Sequence, residues 1–367
     1  MVTIYVNTSN DERQDEKTDK VVDSSIAFGP TEKFEDNKLS IIIQKFLALY
    51  ELKVDRKKQY IDAPIQVSEV LGKLAHLYEK VRTTIEYKGE HVLRRNAIER
   101  MLKRLVWEQE GLKTNLNSKK IAETLLRELI WARYLPNNTV PSSFIDDTAL
   151  VVDKYIYLLE NISLLPSKSS PAVVRSWIWG VASSEIEDLL DPSNRELYVQ
   201  LMFDWFNNYF HWSDDNLKEH EKEIQIYLAI HRALPKSDEP IMRFHLLLHE
   251  FPNWRNAEQS DIDKFIKRFP FLFSEIEGHL HYPGRMVLYR KLQKHAGAFE
   301  IFKTVAEKEK ENLRVTLKSE KKLESVIRKV CDIKYKDIKR KVNTGIVRSI
   351  IYIFITKVVL AMFIEVP

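Results

Sequence analysis

The sequence predicts an all-α protein, an irregular assembly of roughly ten to twelve helices with a long basic helix and an apolar helix near its C-terminal end. Three observations support this class. From residue 39 onward, apolar residues recur at spacings of three and four, as in LSIIIQKFLALYELKV at residues 39–54. Glycine occurs only nine times in 367 residues, which disfavours turn-rich β folds. Several prolines lie in short polar gaps between the apolar-periodic segments, where helices end.

Residues 1–38 differ in composition from the rest of the chain. They carry nine acidic and five basic side chains with few large apolar ones. Such a composition favours disorder, because too little apolar surface is available to offset the entropy of ordering the chain. We therefore expect a disordered acidic arm, with a transient strand at residues 2–6 (VTIYV). The arm has no apolar stretch like that of a secretory signal, so the protein is expected to stay in the cytoplasm and not to be secreted.

Residues 39–284 are expected to form a helical globular region. Proline, serine and asparagine cluster at residues 135–143 (LPNNTVPSS) and 165–171 (LPSKSSP). Either stretch could be a boundary between sub-domains or an ordinary connection between helices. Ser170 followed by Pro171 is typical of a helix start, because the first helical turn tolerates proline.

The net charge of +4 is unevenly distributed. Residues 303–341 contain fourteen Lys and Arg against seven Asp and Glu, an excess of +7, so the rest of the chain sums to −3. This excess lies in a long basic helical region predicted for residues 285–343, directly before an apolar C-terminal segment, residues 344–367. A basic region in this position favours attachment to anionic lipid and places the preceding residues on the cytoplasmic side of the membrane.

The apolar segment is long enough to cross a bilayer. As a helix, residues 346–364 would rise about 28 Å. The segment contains twelve Ile, Leu, Val and Phe residues. Together they favour insertion by about 5 kcal/mol. Arg348 and Lys357 oppose insertion, each by up to about 3 kcal/mol if its charge lies at mid-depth. Arg348 lies near one end and can reach the head groups, so insertion is slightly favoured. The two charges lie about 180° apart around the helix, which argues against a helix lying along the surface.

Two alternatives to a membrane anchor remain open. The segment could pack as a central helix or as an oligomer contact, with Lys357 paired to an acid, or a longer chain could have been cut at Pro367. The residues expected to meet the membrane or its anionic surface are Lys334, Lys336, Lys339, Arg340, Lys341, Arg348 and Lys357.

A cluster of histidines suggests a metal site. Eight of the ten histidines fall within residues 211–295, including an i, i+4 pair in FHLLLHEF and H-x-H in EGHLHYPG. Two imidazoles on one helix face and a third nitrogen from a loop could hold zinc or iron, with a carboxylate such as Glu250 as ligand or base. The alternative is that these histidines are core or boundary residues bonded to backbone carbonyls. The candidate ligands are His245, His249, His279 and His281.

A basic stretch at residues 87–107, YKGEHVLRRNAIERMLKRLVW, suggests nucleic-acid binding. Its positive charges lie beside Tyr87 and Trp107, and this mixture could meet phosphates and stacked bases. Glutamates interleave with the basic residues, however, and intrahelical pairs at three and four spacing explain much of the pattern. A solvated helix face is therefore the favoured interpretation. The candidate nucleic-acid contacts are Arg94, Arg95, Arg100, Lys103 and Arg104.

Several enzyme signatures are missing from the sequence. No two glycines are closer than six positions, so the G-x-G, Walker A and G-x-S-x-G spacings do not occur. The single cysteine, Cys331, excludes an internal disulfide and a multi-cysteine zinc site. We therefore predict a non-enzymatic helical scaffold or adaptor, without catalytic residues or a cofactor, held at the cytoplasmic membrane surface and bound to a protein partner that the sequence does not identify. The alternatives are a metal-dependent enzyme using the histidines of residues 245–281 and a nucleic-acid-binding helical protein.

Overall fold

A computed structural model of the protein shows an all-α architecture. The structure describes residues 4–6, 39–58, 63–68, 89–111, 116–162, 170–191, 194–212 and 217–365. These residues contain twelve α-helices, one 3-10 turn and two strands of three residues. The predicted fold class is therefore confirmed. The acidic arm predicted for residues 1–38 lies outside the described residues apart from residues 4–6.

The described helices follow one another mostly through short connections, and we number them in chain order. They are α1 (Ile41–Lys58), α2 (Glu90–Gly111), α3 (Ser118–Trp131), α4 (Phe144–Ile162), α5 (Pro171–Leu189), α6 (Arg195–Tyr209), α7 (Glu219–Ala233), α8 (Glu239–Glu250), α9 (Gln259–Leu280), α10 (Arg285–Glu309), α11 (Leu313–Leu317) and α12 (Glu320–Glu365). Helix α5 begins at Pro171 with Ser170 as its cap, as the sequence predicts.

The chain divides into two compact units. The first comprises Met1–Glu12 and Lys45–Ala296, and the second comprises Arg13–Gln44 and Gly297–Pro367. Residues 135–143, which the sequence offers as a possible boundary, connect α3 and α4 within the first unit. The other possible boundary, residues 165–171, lies largely outside the described residues.

Helix α5 occupies the centre of the first unit, where it packs against α2, α4 and α8. Its buried face is broad, because every residue from Trp177 to Glu187 is buried. The same core contains apolar side chains at helical spacing, such as Leu125 and Leu129 of α3, and large rings such as Trp254 and Phe265. The buried residues of α5 include charged ones, which places ion pairs inside the core.

The glycine of α5 allows a close approach to α8. A Cβ atom added at Gly180 would lie 3.2 Å from Cβ of Pro240, tighter than ordinary van der Waals contact. The carbonyl oxygen of Gly180 also accepts hydrogen bonds from Ser183 Oγ at 2.9 Å and Ser184 Oγ at 2.8 Å. The two serine hydroxyls on this buried face therefore have partners inside the helix itself.

Two short strands belong to the first unit. Strand β1 (Ile4–Val6) pairs antiparallel with β2 (Phe210–Trp212), with Tyr5 opposite His211. The strand expected at residues 2–6 is thus present over three residues, and its partner immediately follows α6. Local sequence did not predict β2, because the pairing joins residues about two hundred positions apart.

Helix α12 dominates the second unit. It contains 46 residues, which corresponds to a length of about 69 Å. Its first turns pack against α11, and Val330 is fully buried there. From Tyr335 to Ala361 every side chain of the helix is exposed. The buried part of α12 is therefore confined to its N-terminal third.

Candidate functional site

The exposed part of α12 forms an apolar surface. Between Ile346 and Leu360 its large apolar side chains are 42% to 69% exposed. Apolar residues scattered singly over a protein surface are ordinary, whereas a contiguous patch of this length is typical of a surface that meets a membrane or another protein. Among the described residues, α12 is the one helix long and apolar enough to cross a membrane, and its apolar window is entirely exposed.

Basic side chains precede this apolar surface on the same helix. Lys336, Lys339 and Lys341 are all exposed. Arg340 is exposed as well and lies 3.7 Å from Asp337 as an ion pair. Their closeness along one exposed helix concentrates positive charge at the N-terminal edge of the apolar surface.

Lys334 differs from the other predicted membrane contacts. Its Nζ donates to the carbonyl oxygen of Glu300 at 3.1 Å and lies 3.7 Å from the Glu300 carboxylate. The side chain is only partly exposed. Lys334 thus joins α10 to α12 inside the second unit, and part of its charge is already balanced there.

Arg348 and Lys357 lie within the apolar surface. Both side chains are exposed. Within the described residues Lys357 has no ion-pair or hydrogen-bond partner. The sequence left open a central helix with Lys357 paired to an acid, and the described chain provides neither the cover nor the partner that this alternative requires.

The predicted histidine pair of α8 faces two different surroundings. His245 is buried against His231 of α7, with ring centroids 4.6 Å apart. His249, one turn later, is half-exposed and lies beside His220, with ring centroids 5.0 Å apart. An i, i+4 spacing places two side chains on roughly one helix face, but these two residues contact opposite ends of α7.

The H-x-H pair lies at the C-terminal end of α9. His281 Nδ1 is 2.9 Å from the carbonyl oxygen of Glu277. His281 Nε2 is 3.8 Å from a carboxylate oxygen of Glu239. His279 is half-buried, and burial lowers the pKa of its imidazole. Two groups of described residues have metal-ligand spacing, and each contains only one of the four predicted ligands.

Two residues that the sequence pattern did not indicate lie beside His245. They are His231 of α7 and Glu196 of α6. Each of the three residues comes from a different helix, so no local spacing links them. The only signal available in the sequence was the general enrichment of histidine in residues 211–295.

The basic residues of α2 are engaged inside the first unit. Arg94 is buried and donates to Glu187 Oε1 from Nη2 at 2.7 Å. Arg95 is buried and its Nε donates to Asp238 Oδ2 at 3.0 Å. Because both guanidinium groups lie in the interior and are paired, they are not available to phosphates.

The remaining basic residues of α2 are paired with acidic residues or partly buried. Lys103 Nζ is 2.5 Å from Glu99 Oε1, an intrahelical pair of the kind predicted from the sequence. Arg104 forms an ion pair with Glu128 of α3. Arg100 is partly buried. The geometry of α2 thus favours a structural role for its positive charges over nucleic-acid binding.

Comparisons with known proteins add no assignment. No protein-family model, no curated protein sequence and no solved structure matches the chain with statistical significance. Functional inference for this protein therefore rests on its residues and their geometry.

Proposed function

We propose that the protein is a helical scaffold or adaptor that α12 holds at the cytoplasmic face of a membrane. The observation that carries this proposal is that every apolar side chain of α12 from Ile346 to Ala361 is exposed. An apolar helix of this length in water would leave its side chains hydrated, and burial in lipid removes that apolar surface from water.

The free energy of attachment favours the membrane when the basic residues are included. Insertion of residues 346–364 is close to balanced, because about 5 kcal/mol from the apolar side chains opposes the penalties of Arg348 and Lys357. Each exposed basic side chain near an anionic surface adds about 1 kcal/mol. The four exposed residues are Lys336, Lys339, Arg340 and Lys341. Their combined attraction shifts a marginal helix toward stable attachment.

The charge distribution also supports an orientation and a role. Lys and Arg that flank a spanning helix stay preferentially on the cytoplasmic side, so the first unit is proposed to face the cytoplasm. That unit is an assembly of helices, and the sequence lacks the glycine-rich and nucleophile motifs of common enzyme classes. Binding of a protein partner at the membrane surface is the role that these features support.

Flotation of the full chain with liposomes tests the proposal. The chain is mixed with phosphatidylcholine vesicles that contain phosphatidylserine and is then floated through a density gradient. We expect the protein to float and to remain bound after washes with high salt and alkaline carbonate, since an inserted helix resists both. A double variant, Ile350→Asp with Phe354→Asp, should lose binding that resists salt and carbonate, because two mid-depth carboxylates cost about 5 kcal/mol or more.

An exposed site in the same helix provides the matched control. Ile338 is 60% exposed and lies outside the apolar surface, so Ile338→Asp should leave carbonate resistance unchanged. A chain ending at Asn343 should lose carbonate-resistant binding as the double variant does. The proposal is wrong if the full chain fails to float, or if the double variant floats and resists carbonate as well as the unaltered chain.

A further inference from the structure

Three side chains from three helices meet in the first unit, and we call them the Glu–His–His cluster: Glu196, His231 and His245. Oε2 of Glu196 lies 3.5 Å from Nε2 of His231 and also 3.5 Å from Nδ1 of His245. All three ligand atoms lie within 4.8 Å of one another. Both imidazoles are buried, and the Glu196 side chain is 31% exposed.

These separations fit a small divalent cation better than they fit hydrogen bonds. At 3.5 Å, both carboxylate–imidazole separations exceed the usual length of a good N–H···O hydrogen bond. Two ligand atoms bound to tetrahedral zinc at 2.0–2.1 Å are themselves separated by about 3.4 Å. The cluster therefore already has the spacing that a cation would require, without direct bonds that the cation would have to replace.

The atom facing the cluster from α7 has no other partner. Nε2 of His231 is buried and forms no hydrogen bond with any described residue. A buried polar atom without a hydrogen-bond partner is unfavourable. A cation bound to this nitrogen would satisfy it.

The turn between α7 and α8 orients His231. Lys236 adopts a left-handed backbone conformation with φ of 57°, and the chain folds back so that Ser237 N–H donates to the His231 carbonyl oxygen at 2.9 Å. Ser237 Oγ then lies 3.2 Å from Nδ1 of His231. With the Nδ1 proton donated to this hydroxyl, Nε2 presents its lone pair to the cluster, which is the arrangement seen around metal-binding histidines.

A tyrosine orients the carboxylate in the same way. The Tyr227 hydroxyl donates to Oε1 of Glu196 at 2.7 Å, which leaves Oε2 directed at the two imidazoles.

The surrounding charges are already balanced. Arg195 pairs with Glu187 at 2.5 Å, and Arg255 pairs with Asp188 at 2.9 Å. Among the described residues, the two arginines whose charges act on these histidines are thus paired, and a cation would meet the carboxylate charge of Glu196. The exposed edge of Glu196 provides a route from solvent.

We propose that Glu196, His231 and His245 form a binding site for a divalent transition metal of the zinc type, with a water molecule in the fourth position. Two histidines and a glutamate are ligands that zinc accepts, and three protein ligands leave one position open. The site belongs to the first unit and is independent of α12, so it goes beyond the proposed membrane attachment and does not depend on it.

Cobalt binding tests this site, because tetrahedral Co²⁺ absorbs visible light strongly and octahedral Co²⁺ does not. The full chain in a mild non-ionic detergent is freed of metal with a chelator, dialysed and titrated with CoCl₂. We expect one equivalent to bind with a tetrahedral spectrum, and one equivalent of ZnCl₂ to displace it. His231→Ala and His245→Ala should each weaken binding by at least about 100-fold, since loss of a ligand exceeds the 10–100-fold effect of an outer-shell change.

Three further variants separate a binding site from a folding defect. Glu196→Gln keeps the shape and an acceptor for Tyr227 but removes the charge, and it should weaken cobalt binding with an unchanged circular dichroism spectrum. Tyr227→Phe should weaken binding by about 10–100-fold. His249→Ala removes the half-exposed neighbour of His220 and should change nothing. The proposal is overturned if cobalt does not bind, if its spectrum is octahedral, if Glu196→Gln binds normally, or if His249→Ala abolishes binding.

Discussion

Helix α5 buries charged side chains, whereas α12 exposes apolar ones. Glu185 and Glu187 of α5 are both almost completely inaccessible to solvent. In α12 no side chain from Tyr335 to Ala361 is buried within the described chain. Both arrangements are unfavourable in isolation, because buried charge loses its hydration and exposed apolar surface orders water.

The two helices differ in which groups offset this unfavourable free energy. Glu185 accepts hydrogen bonds from Lys154 Nζ at 2.6 Å and from the Tyr155 hydroxyl at 2.7 Å, and both donors belong to α4. Glu187 pairs with Arg94 and Arg195. The described chain offers α12 no equivalent cover. Helix α5 is therefore satisfied within the fold, whereas the described residues leave the C-terminal part of α12 uncovered.

The largest expected effect on stability comes from breaking the buried ion pairs of α5. Glu187→Ala would leave Arg94 and Arg195 with less carboxylate charge in a buried setting, so the first unit should lose roughly 3–5 kcal/mol of unfolding free energy. Denaturant unfolding followed by circular dichroism measures the loss. Burial raises the pKa of Glu187, and the nearby charges of Arg195 and Arg94 oppose that rise.

An exposed pair in the same unit provides the control. Glu123 and Arg127 of α3 form an i, i+4 ion pair at 2.9 Å with both side chains accessible. Glu123→Ala should cost about 0.3–0.5 kcal/mol. Equal losses in the two variants would contradict the view that buried pairs carry the stability of α5.

A smaller effect should follow from changing lysines along α12. Lys357→Leu removes a charge from the middle of the apolar surface and should strengthen insertion by up to about 3–4 kcal/mol. Lys339→Leu removes a charge from the basic edge and should weaken attachment to anionic vesicles by about 1 kcal/mol. Binding isotherms on vesicles give both values. If the two substitutions shifted affinity in the same direction, the division of α12 into a basic edge and an inserted segment would be wrong.

A gradual effect is expected when the pH is lowered. Burial keeps His231 and His245 neutral in the folded chain, with pKa values of about 3 and 4, against an ordinary value near 6.5. Between pH 6.5 and 4 the unfolded chain therefore binds more protons, so their stability contribution is complete above pH 6.5 and falls as pH decreases. The slope is up to about 1.4 kcal/mol per pH unit for each histidine.

Unfolding in the presence of EDTA isolates this effect from metal binding. His231→Phe should reduce the slope between pH 6.5 and 4 by about 1.4 kcal/mol per unit. A variant with the same slope as the unaltered chain would contradict the assignment. The buried imidazoles differ from the buried carboxylates of α5. They avoid the cost of buried charge by staying neutral, whereas the carboxylates form ion pairs.

Patterns confined to one segment predicted the fold class well. The three and four spacing beginning near residue 39 is present as α1, and Ser170 with Pro171 starts α5 as expected. Arg94 and Arg95 show the limit of such patterns. As a string of basic residues they suggest a charged surface, yet both are buried, because their partners Glu187 and Asp238 lie far along the chain.

The histidines show the same limit at the candidate site. The i, i+4 spacing of His245 and His249 predicted one shared site, but each contacts a different neighbour on α7. The Glu–His–His cluster joins α6, α7 and α8, and its three members are separated by 35 and 14 residues. Local spacing carries no information about such a meeting, since it depends on how the helices pack.

By itself, the sequence determined the helical class, the excess of basic residues before the C-terminal segment and the apolar character of that segment. These are properties of composition and of a 3.6-residue period, which act within a few turns of one helix. Tertiary structure decided which charges are buried, which histidines meet and that no described residue covers the C-terminal part of α12. Those outcomes depend on contacts between distant helices, where burial and the availability of a partner set the free energy.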